Sequence, residues 1–119
     1  MKPLIMIADD AMFMRRVIRR ALSQEGYDRF VEVGTGTEAL IQYRASRPDL
    51  VLLDITMPER SGLDALDDIL QEDPEAKIIM CSAVGQETVI AQAIRRGALD
   101  FIIKPFKDEE LIKLVEASI

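Results

Sequence analysis

The 119-residue chain contains no histidine, no tryptophan and a single cysteine, Cys81. Without histidine there is no Ser-His-Asp or Cys-His relay, no imidazole metal ligand and no side chain whose ordinary pKa lies near neutrality. One cysteine makes neither an internal disulfide nor a thiolate cage for zinc, which fits a reducing compartment and predicts a cytoplasmic location. Long apolar runs are missing too. The stretch from Leu4 to Ala8 is too short for a signal peptide before it meets Asp9 and Asp10, and nothing approaches the roughly 20 residues that cross a bilayer, so a soluble chain without a membrane partner is expected. Basic charge is in deficit, with 15 Lys and Arg against 21 Asp and Glu and a formal net charge of -6. Phosphate backbones demand a basic face, so nucleic acid is not expected as a direct partner. What remains for chemistry is carboxylates, hydroxyls and lysine.

The length fits one domain, residues 1–119, with no linker, repeat or low-complexity tract. Apolar periodicity alternates between short continuous runs at residues 4–8, 30–33, 50–53, 78–81 and 101–103 and longer amphipathic stretches. Continuous apolar runs predict strands covered on both faces, as in a parallel sheet. Between them, Met14, Val17, Ile18, Ala21 and Leu22 follow helical spacing and stop near Gly26. Thr35 with Glu38, and Ser61 with Asp64, have capping-box spacing and predict a second helix through Tyr43 and a third around Leu66 and Ile69. A fourth helix is expected over residues 87–96, stopped by Gly97, and a fifth from Asp108 to the end of the chain. Strand and helix alternating in this way predict an α/β fold, a doubly wound five-stranded parallel sheet with five helices.

In such sheets ligands bind beyond the carboxyl ends of the strands. The residues expected there are Asp9 and Asp10, Asp54, Ser82 and Ala83, and Lys104 with Pro105. Each has an ordinary structural use: an Asp-Asp pair before a helix is commonly a cap, an aspartate closing a strand a turn residue, a serine another cap, and a lysine a solvated charge. Gathered together they are harder to explain, because carboxylates 4 Å apart repel by roughly 4 kcal/mol per pair at an effective dielectric near 20. A divalent cation relieves that repulsion. Oxygen ligands without His or Cys select a hard ion such as Mg2+.

At this point the residues carry a resemblance. The segment Val51-Leu52-Leu53-Asp54-Ile55-Thr56-Met57-Pro58, with Gly62 beyond, resembles the phosphoacceptor segment of response-regulator receiver domains. Asp9-Asp10, Gly36-Thr37-Glu38-Ala39-Leu40, Ser82-Ala83, Gly97-Ala98 and Lys104-Pro105-Phe106 fall where that family has its other signatures, so the resemblance spans the chain. Residues 80–86 and 100–106 are similar to single-domain chemotaxis regulators of the CheY type, with the flavodoxin-like fold of that family.

The resemblance implies that Asp54 accepts a phosphoryl group from a histidine kinase or a histidine phosphotransfer domain. It implies that Asp9, Asp10, Asp54 and the backbone carbonyl of Thr56 hold Mg2+, that Lys104 neutralises the phosphoryl oxygens, and that Ser82, Ala83 and Thr56 contact them. The Lys104-Pro105 bond is implied to be cis. Ser82 and Phe101 are the implied switch pair, although Phe101 lacks the hydroxyl of the tyrosine found in many chemotaxis regulators. A downstream protein is implied to bind the fourth helix, fifth strand and fifth helix, a phosphorylation-dependent homodimer is left open, and the only catalysis expected is self-phosphotransfer with slow autodephosphorylation. Thr56 and Val84 are implied to flank the water path, and apolar Val84 is expected to slow hydrolysis.

Other residues add expectations. The broad apolar set of the fourth helix fits either a wide core stripe or an exposed edge on which Ile90 and Ile94, with Leu99 and Phe101, form a patch. Arg15, Arg16, Arg19 and Arg20 form a basic band on the first helix, where complementary charge would speed encounter with a phosphodonor. Three alternatives stay open: a receiver cut from a longer regulator with an effector domain, a flavin-binding module, and a small Mg2+-dependent phosphohydrolase. The flavin reading lacks a phosphate-cradling loop after the first strand, and the hydrolase reading predicts continuous turnover of free phosphomonoesters.

Overall fold

The computed structural model describes residues 2–119. Strands and helices alternate along the chain: β1 (Leu4–Ala8), α1 (Met12–Ser23), β2 (Arg29–Val33), α2 (Gly36–Ser46), β3 (Leu50–Asp54), α3 (Gly62–Glu72), β4 (Ile78–Ala83), α4 (Glu87–Arg96), β5 (Asp100–Lys104) and α5 (Asp108–Ser118). Four strands reach beyond their apolar runs. β3 takes in Asp54, and β5 takes in Asp100 and Lys104, because a parallel ladder pairs backbone groups whatever the side chains are. The pairing of Ala83 with Lys104 carries β4 and β5 together to the edge where chemistry was expected.

All neighbours pair in parallel, in the order β2-β1-β3-β4-β5. Alternation within each apolar run divides the core into two layers. Met6, Val51, Leu53 and Met80 point to the side of α2, α3 and α4, where Ala39, Tyr43, Leu66, Ile69 and Ala93 meet them. Ile5, Ile7, Leu50, Leu52 and Cys81 point the other way, onto Ile18, Leu22, Leu111 and Val115 of α1 and α5. This two-sided burial is the physical reason for unbroken rather than alternating hydrophobicity. Among the described residues, no helix is long and apolar enough to cross a membrane.

Local chemistry fixes the helix ends. Thr35 Oγ1 accepts from the Glu38 N–H at 3.0 Å and Ser61 Oγ from the Asp64 N–H at 3.2 Å, as their spacing predicted. The return half of the Thr35 box differs from expectation: Glu38 Oε1 reaches one residue further back, to the Gly34 N–H at 3.4 Å. Gly97 ends α4 in the left-handed region at φ +119, a conformation glycine adopts without steric cost.

Candidate functional site

The chain leaves β1 for β2 on one side and returns to β3 on the other, so the strand order reverses between β1 and β3. The crevice there lies beyond the carboxyl ends of both. β1 delivers Asp9 and Asp10 to it, β3 delivers Asp54, and β5 delivers Lys104. One carboxylate oxygen from each of Asp9, Asp10 and Asp54 lies within 4.8 Å of the others. Asp9 is 2 % exposed and Asp54 8 % exposed, whereas Asp10 faces solvent.

Lys104 Nζ sits between the two buried carboxylates, 2.6 Å from Asp9 Oδ2 and 3.2 Å from Asp54 Oδ1. Burial pushes the Asp54 carboxyl up from its ordinary value; Lys104 pulls it back, and Asp9 and Asp10 add to the rise. For Lys104, burial works against the charged form, but the hydrogen bond to Asp9 and the charges of Asp54 and Asp9 outweigh it and hold the ammonium above its ordinary value. Asp9 also does the ordinary work of its position, Oδ1 accepting from the Ala11 N–H at 2.9 Å before α1 begins. The Lys104-Pro105 peptide is cis.

Backbone packing fixes the end of β3. The Gly62 N–H donates to the Ile55 carbonyl at 2.7 Å, and a Cβ on Gly62 would lie 2.1 Å from the Asp54 carbonyl oxygen, so only glycine lets α3 start this close beneath Asp54. Arg60 turns outward and pairs bidentately with Asp68 at 2.7 and 3.0 Å.

Asp54 pairs in register with Cys81, which brings Ser82 and Ala83 just past it on the neighbouring strand. Ser82 is fully buried and, among the described residues, its Oγ has no hydrogen-bond partner. The N–H of Ala83, a residue implied to contact the phosphoryl oxygens, is engaged by Gln86 Oε1 at 2.7 Å, and Gln86 Nε2 donates to Thr56 Oγ1 at 3.3 Å. Sequence reasoning had no signal for Gln86, whose contacts depend on how the loop after β4 folds back. It also missed Glu32. Arg15 donates to the Asp9 carbonyl at 2.5 Å and to Glu32 at 3.1 Å, and Arg19 pairs with Glu32 at 2.9 Å. Half of the expected basic band is thereby tied to the chain itself.

The suggested surface patch is corrected in one member. Ile90 is 6 % exposed and packs in the core with α3, because its position on α4 faces the sheet. Ile94, Leu99 and Phe101 are exposed, and Phe101 borders both an apolar groove with Ala91 and Ile94 and a second with Lys113 and Leu114. Val84 is exposed as well.

Comparison with known proteins agrees with this geometry. Residues 5–116 match the family model of the response regulator receiver domain. The chain is 46 % identical over 112 residues to the chemotaxis protein CheY of Listeria monocytogenes, covering 94 % of each. It superposes on the crystal structure of the receiver domain of NtrX from Brucella abortus with a TM-score of 0.91 and 36 % identity over 96 % of both chains. It also superposes on the CheX-CheY-BeF3-Mg2+ complex from Borrelia burgdorferi with a TM-score of 0.91 and 32 % identity, covering 98 % of this chain and 89 % of that one. A parallel sheet that gathers three aspartates and a lysine at its switch point, matched along nearly its whole length, makes this chain a member of the response regulator receiver domain family.

Proposed function

We propose that residues 1–119 work as a single phosphoacceptor domain of a two-component, chemotaxis-type pathway, with Asp54 as the acceptor. The observation that carries this is the buried Asp54 carboxylate, 3.2 Å from Lys104 and within 4.8 Å of the Asp9 and Asp10 oxygens. An Asp54 oxygen attacks the phosphorus of a phosphohistidine on a kinase or phosphotransfer domain; the new O–P bond forms as the P–N bond breaks, and the imidazole leaves with that electron pair. The nucleophile is already a carboxylate and needs no general base, which accommodates the absence of histidine in this chain. The remaining work is positioning and charge neutralisation. Lys104 supplies a fixed positive charge to the phosphoryl oxygens. Ser82, whose buried hydroxyl is unpartnered, and the Ala83 N–H supply hydrogen bonds.

Mg2+ fits the donor set, because oxygen ligands alone suit a hard cation and the cluster of three carboxylates and one ammonium keeps an excess of two negative charges. Asp9, Asp10, Asp54 and the Thr56 carbonyl would hold it, and when bound it neutralises developing charge on the phosphoryl group. That a 32 % identical CheY was crystallised with BeF3 and Mg2+ supports the assignment. The output follows from the exposed apolar edge of α4, β5 and α5, where Ile94, Leu99 and Phe101 offer a face to a protein target, with Ser82 and Phe101 as the switch pair.

Incubation with Mg2+ and acetyl phosphate tests the reading. Wild type gains the mass of one phosphoryl group, Asp54→Asn gains none and EDTA blocks the reaction. Equal labelling of the two proteins, or continuous release of phosphate from a simple phosphomonoester, would sink it.

A further inference from the structure

Gln86 is the N-cap residue of α4, yet its side chain does not cap the helix. A side-chain oxygen there ordinarily accepts from the first free N–H groups of the helix. In this chain the amide folds back instead. Oε1 takes the Ala83 N–H at 2.7 Å and Nε2 reaches Thr56 Oγ1 at 3.3 Å, so one side chain ties the end of β4 to the loop after β3. The intervening turn passes through Gly85 at φ +95, where an added Cβ would meet nothing within 4 Å. Val84 and Gly85 are both exposed, and the Gln86 side chain ties this turn back to the sheet edge. One residue before Ala83, the Ser82 hydroxyl is fully buried without a partner. An N–H served by a side-chain carbonyl oxygen thus lies beside a hydroxyl served by nothing, and a buried donor without an acceptor is costly.

We infer, resting on the reading of Asp54 as phosphoacceptor, that Gln86 is a resident stand-in for the phosphoryl group: its Oε1 occupies the Ala83 N–H in the unmodified chain and leaves when a phosphoryl oxygen on Asp54 takes its place. The exchange favours the phosphoryl group because hydrogen bonds to a charged acceptor are roughly twice as strong as those between neutral groups. Departure of Oε1 also gives up the Nε2 bond to Thr56, so the side chain at the head of α4 is freed from both anchors together. Gln86 is a positioning residue. It sets how readily the site accepts an oxyanion, and its release joins occupancy of Asp54 to the start of the helix whose outer edge carries Ile94.

Beryllofluoride, a phosphoryl mimic, provides the test, with binding followed by NMR in the presence of Mg2+ and melting curves confirming that each variant is folded. Gln86→Ala removes the competitor and should tighten beryllofluoride binding roughly threefold to tenfold, the range of one ordinary hydrogen bond. The unliganded Ala83 amide resonance should move upfield. Gln86→Glu, a charged competitor on the same N–H, should bind beryllofluoride more weakly than wild type. Loosening of the loop alone would not move the two variants in opposite directions. Equal or weaker binding by Gln86→Ala, with normal binding by wild type, would overturn the stand-in role while leaving Asp54 as acceptor. Failure of wild type itself to bind beryllofluoride would overturn the acceptor reading and this inference with it.

Discussion

Replacing Asp54 by Asn should stabilise the fold in the absence of divalent cations while abolishing phosphoryl transfer. The Asp54 carboxylate meets buried Asp9 and solvent-facing Asp10, with oxygens within 4.8 Å. At an effective dielectric near 20 the Asp9 pair costs about 3.5 kcal/mol, and Asp10, screened by water, adds less. Lys104 at 3.2 Å returns about 5 kcal/mol. The charges therefore nearly cancel, and burial, the largest influence on this carboxyl, at several kcal/mol per ion leaves about 2 kcal/mol against the charged side chain, while Asn keeps an oxygen for Lys104. For a domain of this size that corresponds to a rise in Tm of roughly 5–10 °C in EDTA. Saturating Mg2+ should reverse the comparison, since a ligand at one hundred times its Kd adds about 2.7 kcal/mol. Wild type should take up most of that gain and the variant less. Thermal and urea melts of both proteins, with EDTA and with Mg2+, check this. A variant less stable than wild type in EDTA, or one that gains equally from Mg2+, would refute the reasoning.

Two further predictions concern the rest of the molecule. Burial, and then the 2.8 Å hydrogen bond to Asp73, push the Tyr43 hydroxyl up to about 12 from 10.0. The neutral form is therefore favoured in the folded state, and its contribution to stability is intact below pH 10 and lost as pH rises through about 12. In a Tyr27→Phe background, alkaline absorbance titration should show the single remaining tyrosine ionising near 12, and an ordinary midpoint near 10 would contradict this burial. On α4, Ile90→Asp should cost more than about 3 kcal/mol by urea unfolding because it buries an unpaired charge, whereas Ile94→Asp should stay within about 0.5 kcal/mol and weaken target binding. The opposite order would mean that the wrong isoleucine faces the sheet.

The parts of the fold written as periodicity were legible in the sequence. Unbroken apolar runs identified the strands, and the spacing of Ile18 and Leu22 the first helix, because burial on one or two faces leaves a pattern in neighbouring positions. The site was legible for a different reason. Asp54 and Lys104 each end a strand and Asp9 directly follows one, and a parallel sheet brings strand ends to one edge whatever the loops do. Pairings without a periodic trace stayed hidden: Gln86 with Ala83 and Thr56, Arg15 with Glu32, and the placement of Lys104 closer to Asp9 than to Asp54. Ile90 was misplaced because an α4 rich in apolar residues does not show which isoleucine faces inward until its rotation against β4 and β5 is known.

The central claim is that one carboxylate, Asp54, takes the phosphoryl group. Borohydride reduction after reaction with acetyl phosphate and Mg2+, followed by peptide mass spectrometry, tests it most directly, because an aspartyl phosphate is reduced to homoserine where it formed. Homoserine at position 54 and at no other aspartate is the expected result. Its appearance at position 9 or 10 instead, or its absence throughout, would contradict the account.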